Sequence, residues 1–130
     1  MVHKITNMSK GDMFCIDAEV LKTPPVTSPL PLIAPHHALI KTRARCRVYK
    51  LVLEPGQSTE VSYPFFRLSV VLRGSCAVRT VLAAPGGNGR ALSWERACAM
   101  GDVEWHAPAL GTTIANLGPT TYEQFIAEWR

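Results

Sequence analysis

Four histidines, four cysteines and a few serines are the residues with which this chain could bind a metal or build a nucleophile. A metal site of His and Cys usually announces itself through a short-spaced ligand pair. Cys15, Cys46, Cys76 and Cys98 are widely spread, with no CxxC pair. They read as reduced, mostly buried small hydrophobes, which fits an intracellular compartment. His36 and His37 are adjacent, so an extended chain points them to opposite sides. His3 lies near one end, and His106 follows Trp105. These four read as chance polar residues rather than as a metal site. Ser58, Ser62 and Ser69 have no histidine and carboxylate at a recognisable spacing, so no nucleophile constellation emerges.

Arg43, Arg45 and Arg47 alternate, which on a single strand places them on one face. Such a stripe reads either as a polyanion-binding strip or as the charged, solvated face of an edge strand, and the latter is preferred. No aromatic residues interleave it for base stacking. The net charge of +4 and pI near 9.1 are too mild to argue for a nucleic-acid partner. The longest aliphatic runs span only a few residues, as in Val70-Val71-Leu72, too short for a transmembrane helix. Residues 1–10 lack the apolar core of a secretory signal.

The elements that must position these residues are strands. Runs of five to ten β-prone residues recur, each closed by a turn signal, and helical periodicity is hard to find. Strands are expected over residues 13–22, 38–42, 45–53, 59–63, 66–73, 76–83, 91–99, 103–105, 112–116 and 121–129. Residues 23–35 carry five prolines and read as an extended arm. In the last run Tyr122, Gln124, Ile126 and Glu128 share one face, and Thr121, Glu123, Phe125, Ala127 and Trp129 the other. That run reaches the final residues and is expected to be tied into a sheet. With 130 residues and 47% hydrophobic content, the chain has one domain's worth of length and core. About ten short strands with regular turns predict an all-β sandwich or barrel.

Two segments together resemble the motifs of the cupin superfamily. The first runs from Leu53-Glu54-Pro55-Gly56 through Ser62-Tyr63-Pro64-Phe65-Phe66-Arg67 to Gly74. Its family form is Gly, five residues, His-x-His, three or four residues, Glu, six residues, Gly. The second runs from Gly101-Asp102 through Trp105-His106-Ala107-Pro108 to Asn116, against a family form of a Gly, a Pro-x-Gly turn, then His, three residues and Asn, its turn here one residue longer at Ala109-Leu110-Gly111. The resemblance covers roughly residues 38–130. It implies a single double-stranded β-helix of the RmlC-like type, a jelly-roll barrel open at one end. A strand and proline-rich arm over residues 1–37 would precede the barrel at 38–130.

Placed on those motifs, the chain puts Ser62 and Pro64 where two histidines belong. Arg67 takes the place of the glutamate, and Thr112 that of the third histidine. Such a set cannot hold a divalent metal, and a guanidinium would repel one. No metal and no cofactor are therefore expected. Ser62, Pro64, Arg67 and Thr112 become candidate ligand-binding positions in the lumen, with Glu60, Tyr63, Trp105 and His106 as further lumen or rim residues. A buried Arg67 must have a partner. Either Glu60 supplies it, or a small anionic ligand does, helped by the hydroxyls of Ser62 and Thr112. The resemblance thus implies a metal-free, non-catalytic module that binds a small molecule or serves as one subunit of a homodimer or larger assembly. The alternative is a metal-dependent cupin enzyme, a dioxygenase or isomerase, with an atypical ligand set. A metal-free isomerase would need an acid and a base in the lumen, for which Tyr63 and His106 are the candidates.

Overall fold

The computed structural model of this chain describes residues 4–19, 34–74, 76–82 and 91–129. Nine strands run through them: β1 (His37–Thr42), β2 (Cys46–Leu53), β3 (Ser58–Tyr63), β4 (Phe66–Arg73), β5 (Cys76–Leu82), β6 (Leu92–Cys98), β7 (Val103–His106), β8 (Ala109–Asn116) and β9 (Tyr122–Trp129). No helix occurs among the described residues, and so none is long and apolar enough to cross a membrane. The strands form two antiparallel sheets, one ordered β1-β2-β9-β4-β7 and the other β3-β8-β5-β6.

Side-chain alternation explains why these segments pair as they do. In β2, Arg47, Tyr49, Leu51 and Leu53 are buried while the residues between them are not. In β9, Tyr122, Gln124, Ile126 and Glu128 turn inward, as their spacing requires. These faces meet those of β3, β4 and β8 to enclose a core of Tyr49, Leu51, Leu53, Val61, Tyr63, Val71, Ile114, Tyr122 and Ile126.

The motif glycines and Asn116 hold the turns. Gly56 adopts φ 78° in the turn after β2, and its N–H donates to Asn116 O at 3.0 Å. Asn116 Nδ2 donates to Leu53 O (2.9 Å) and Thr120 O (2.8 Å), and its Oδ1 accepts from Gly118 N (2.9 Å). One buried amide thus clamps the end of β2 to both sides of the β8–β9 turn. Gly101 adopts φ 93° and donates to Val71 O at 2.8 Å, so the β6–β7 turn continues the edge of β4.

Several sequence expectations fail. Of the strand expected over residues 13–22, residues 13–19 form none and pair with neither sheet, and residues 20–22 lie outside the described residues. Residues 20–33, which hold most of the proline-rich stretch, and the loop at 83–90 lie outside the described residues. The arginine stripe does not exist. Arg43 and Arg45 are exposed in the turn between β1 and β2, whereas Arg47 sits inside β2 and is buried. The cysteines are not uniformly buried either: Cys98 is buried, Cys46 half-buried and Cys15 exposed.

Candidate functional site

Strand pairing lines up one row of charged residues across the inner face of the five-stranded sheet. Arg47 of β2 faces Glu128 of β9, Glu128 faces Arg67 of β4, and Arg67 faces His106 of β7. Arg47 Nη2 donates to Glu128 Oε1 at 3.0 Å, with both side chains about as buried as residues can be (2% and 1% exposed). The Arg47 guanidinium also lies over the Phe65 ring, 5.4 Å from its centre. Its Nε and Nη1 are buried without a hydrogen-bond partner.

Beside this row lies a cavity of about 250 Å³ between the two sheets. Arg67 lines it and is only 6% exposed. Its Nη1 donates to Ala107 O at 3.1 Å, and its guanidinium stacks on the Tyr63 ring, 4.1 Å from the centre. Burial lowers its pKa, while Tyr63, Glu104 and Glu128 favour the charged form. Tyr63 is held in turn from outside the cavity. His37 Nδ1 stands 2.8 Å from Pro35 O, which can only accept, so Nδ1 carries the proton. His37 Nε2 therefore accepts the Tyr63 O–H at 2.6 Å. Burial raises the Tyr63 pKa and lowers that of His37, which keeps both groups neutral.

The opposite wall comes from the four-stranded sheet. Thr112 of β8 is fully buried on the cavity wall, and its Oγ1 has no hydrogen-bond partner. Ile114, Thr80 and Trp94 line the same wall. Arg96 of β6 reaches Glu104 of β7 at 2.8 Å and also bonds Tyr122. This ion pair bridges the two sheets.

Of the residues singled out from sequence, Arg67, Thr112, Tyr63 and His106 line the cavity, and Trp105 only borders it from β7, its ring stacking with Phe66 and Trp129 on the outer face. Ser62, Pro64 and Glu60 do not. All three are exposed on the outer side of β3 and the following turn, while Thr59, Val61, Tyr63 and Phe65 point inward. Ser62 Oγ accepts the Gly111 N–H at 3.2 Å on that outer side. The physical reason is strand parity. Counting forward from Gly56 reaches residues 62 and 64, whereas counting back from Gly74 through Arg67 with the three-residue spacing reaches 63 and 61. The fold follows the second count. Glu60 is accordingly not the partner of Arg67; the nearby carboxylates are Glu104 and Glu128.

Sequence spacing missed a second pair. Ser69 Oγ lies 2.8 Å from His106 Nε2 and 3.4 Å from Glu104 O. Glu104 Oε2 lies 3.5 Å from the same His106 nitrogen. Register creates this cluster, since Ser69 faces Glu104 and Arg67 faces His106 across β4 and β7. It is not a triad, because a triad needs the carboxylate on the ring nitrogen away from the serine. One arrangement satisfies both serine contacts: Nε2–H donates to Ser69 Oγ, and Ser69 O–H donates to Glu104 O. In it the imidazole is not a base toward the serine. Burial and the charges of Arg67 and Arg96 push the His106 pKa down to about 4, so it is neutral near pH 7.

A divalent cation does not suit this lining. The inward positions of the two motifs hold Val61, Tyr63, Arg67 and Thr112, none of them an anionic or imidazole donor. His106 and Glu104 are the nearest donors, and Arg67 and Arg96 stand beside them. Among the described residues, no three His, Cys, Asp or Glu side chains gather as a metal-binding group.

The fold finds many counterparts among solved structures. A cupin domain from Bordetella pertussis superposes with a TM-score of 0.58 at 14% identity, covering 75% of this chain and 93% of its own. A cupin 2 conserved barrel protein from Salinispora arenicola gives a TM-score of 0.53 at 15% identity, with coverages of 82% and 90%. An RmlC-like cupin with a double-stranded β-helix from Methanocaldococcus jannaschii gives 0.53 at 9% identity, with coverages of 85% and 93%. The chain has the cupin fold. No protein-family model matches its sequence, and no curated protein does either. Arginine, threonine and tyrosine stand on the inner face, and the polar core is a row of ion-paired side chains.

Proposed function

We propose that this cupin barrel is a non-catalytic module that binds a small anion in its lumen. One observation carries the reading. Arg67, a permanent cation, is buried on the wall of a 250 Å³ cavity that also holds the unpartnered hydroxyl of Thr112. A buried polar group without a partner costs free energy, and a ligand that accepts hydrogen bonds from both would relieve that cost. In the arrangement above, Ser69 donates to Glu104 O and not to His106, so the pair is not an activated nucleophile, which favours binding over turnover. The same reading takes the protein as metal-free and intracellular.

The test is a titration with sodium acetate and sodium benzoate at low ionic strength, followed by isothermal calorimetry and by the arginine Nε–H NMR signals. Saturable binding that shifts the Arg67 signal is expected. Arg67→Met should weaken it at least tenfold, about 1.4 kcal/mol. Thr112→Val, nearly isosteric and free of any charge change, should weaken it more modestly while the fold stays intact by circular dichroism. A wild-type protein that binds neither anion, or binds them equally well without Arg67, would refute the reading.

We also infer that a second copy of the chain covers the outer face of the five-stranded sheet. Phe66, Trp105 and Trp129 stack there, with ring centres 5.8 Å and 5.7 Å apart, and Val103 and Phe125 stand exposed on the same face. Five strands at about 4.8 Å spacing and about seven residues' length span several hundred Å². Doubled across a two-fold axis, that approaches the ~1,200 Å² at the low end of stable interfaces.

A further inference from the structure

The charge balance and size of the lumen narrow the anion further, an inference that rests on the binding reading above. Three guanidiniums, Arg47, Arg67 and Arg96, face the interior with two carboxylates, Glu104 and Glu128. Arg47 pairs with Glu128 and Arg96 with Glu104. Among the described residues the interior therefore carries one positive charge in excess, at Arg67, which a single negative charge balances. A phosphate or a dicarboxylate brings more, and its surplus charge would meet the carboxylate of Glu104 on the cavity wall.

Size and lining describe the rest of the molecule. A dry cavity of about 150 Å³ accommodates a benzene ring. The lumen's 250 Å³ thus has room for one such ring and a carboxyl group, and too little for a second fused ring. Ile114, Ile126 and Trp94 supply apolar wall, Arg67 and Thr112 stand on opposite sheets, and Ser69, Thr80 and Gln124 add polar lining. Acetate would neutralise Arg67 but leave that apolar wall against water.

We propose that the cavity takes a monocarboxylate whose apolar body is about the size of one six-membered ring. The carboxylate accepts hydrogen bonds from the Arg67 guanidinium and the Thr112 hydroxyl, and the ring lies against Ile114, Ile126 and Trp94.

Calorimetry on the full chain with benzoate, cyclohexanecarboxylate, acetate, phosphate and 2-naphthoate tests this. Benzoate and cyclohexanecarboxylate are expected to bind at least tenfold more tightly than acetate and phosphate, and 2-naphthoate at least tenfold more weakly than benzoate. Benzoate should also quench Trp94, and Trp94→Leu should remove that quenching while binding persists. Ile114→Phe, which fills part of the cavity with an apolar group, should lower benzoate affinity at least fivefold and acetate affinity by a smaller factor. If acetate or phosphate binds as tightly as benzoate and still depends on Arg67, this inference falls while the anion-binding reading stands. If no carboxylate binds in an Arg67-dependent way, both fall.

Discussion

Replacing Glu128 by glutamine should be among the most damaging conservative changes in this protein. The substitution keeps the size and hydrogen-bonding reach of the side chain and removes its charge. Arg47 is left 2% exposed with its counter-charge gone, and its Nε and Nη1 already have no hydrogen-bond partner. Arg67, one strand further on, loses a second favourable charge. Unit charges about 4 Å apart interact by about 4 kcal/mol at an effective dielectric of ~20. Removing one member of a buried pair costs about 3–5 kcal/mol. A loss near 4 kcal/mol takes a large part of the ~5–15 kcal/mol by which a domain is stable. With a urea slope of ~2 kcal/mol/M, the midpoint should fall by about 2 M. Urea unfolding followed by tryptophan fluorescence reads this, since Trp129 adjoins the site. Arg47→Met and the double variant complete a mutant cycle, in which a coupling of at least ~2 kcal/mol is expected. A Glu128→Gln protein within ~1 kcal/mol of wild type, or a coupling near zero, would refute the account of the row as an interdependent charged core.

Two further outcomes follow from the same geometry. His106 has a pKa of about 4 in the folded protein against an ordinary 6.5, so the unfolded chain takes up the proton first. Its contribution is complete above about pH 6.5 and is lost as the pH falls toward 4, the direction set by proton linkage. At 1.36 kcal/mol per unit the ceiling is about 3 kcal/mol, and partial exposure of the ring reduces it to about 1–2 kcal/mol. His106→Gln should flatten thermal stability between pH 6.5 and 4.5, and an unchanged slope would count against it. For the outer sheet face, Trp105→Glu combined with Phe125→Lys should convert a dimer to a monomer in size-exclusion chromatography with light scattering, with β-rich circular dichroism retained. A wild-type protein that is already monomeric at high micromolar concentration would overturn that interface.

Much of the architecture can be read directly from the residues. The β9 segment alternates so regularly that its buried set, Tyr122, Gln124, Ile126 and Glu128, follows from a period of two alone. Gly56 and Gly101 mark turns because their positive φ values suit a residue without a Cβ. Residues 13–19 are β-prone yet join neither sheet, because propensity alone does not create a pairing. Arg43 and Arg45 misled it too, because β2 starts at Cys46 and only Arg47 belongs to the strand.

Local matters were legible in the residues: which segments extend and where the chain turns. Only the tertiary structure decided which residues share the lumen. The motif placement at residues 62 and 64 and the inward positions 61 and 63 differ by one residue, and a one-residue difference reverses every face. Packing resolved it in favour of Val61 and Tyr63, because those apolar faces, and not Ser62 and Pro64, complete the core. The partners of the charged groups were equally out of reach. Arg47 and Glu128 lie 81 residues apart, and Ser69 and His106 lie 37 apart. No local spacing encodes such pairs. They form because β9 inserts between β2 and β4, and β7 closes the other edge of β4. That long-range register sets the charge balance of the cavity.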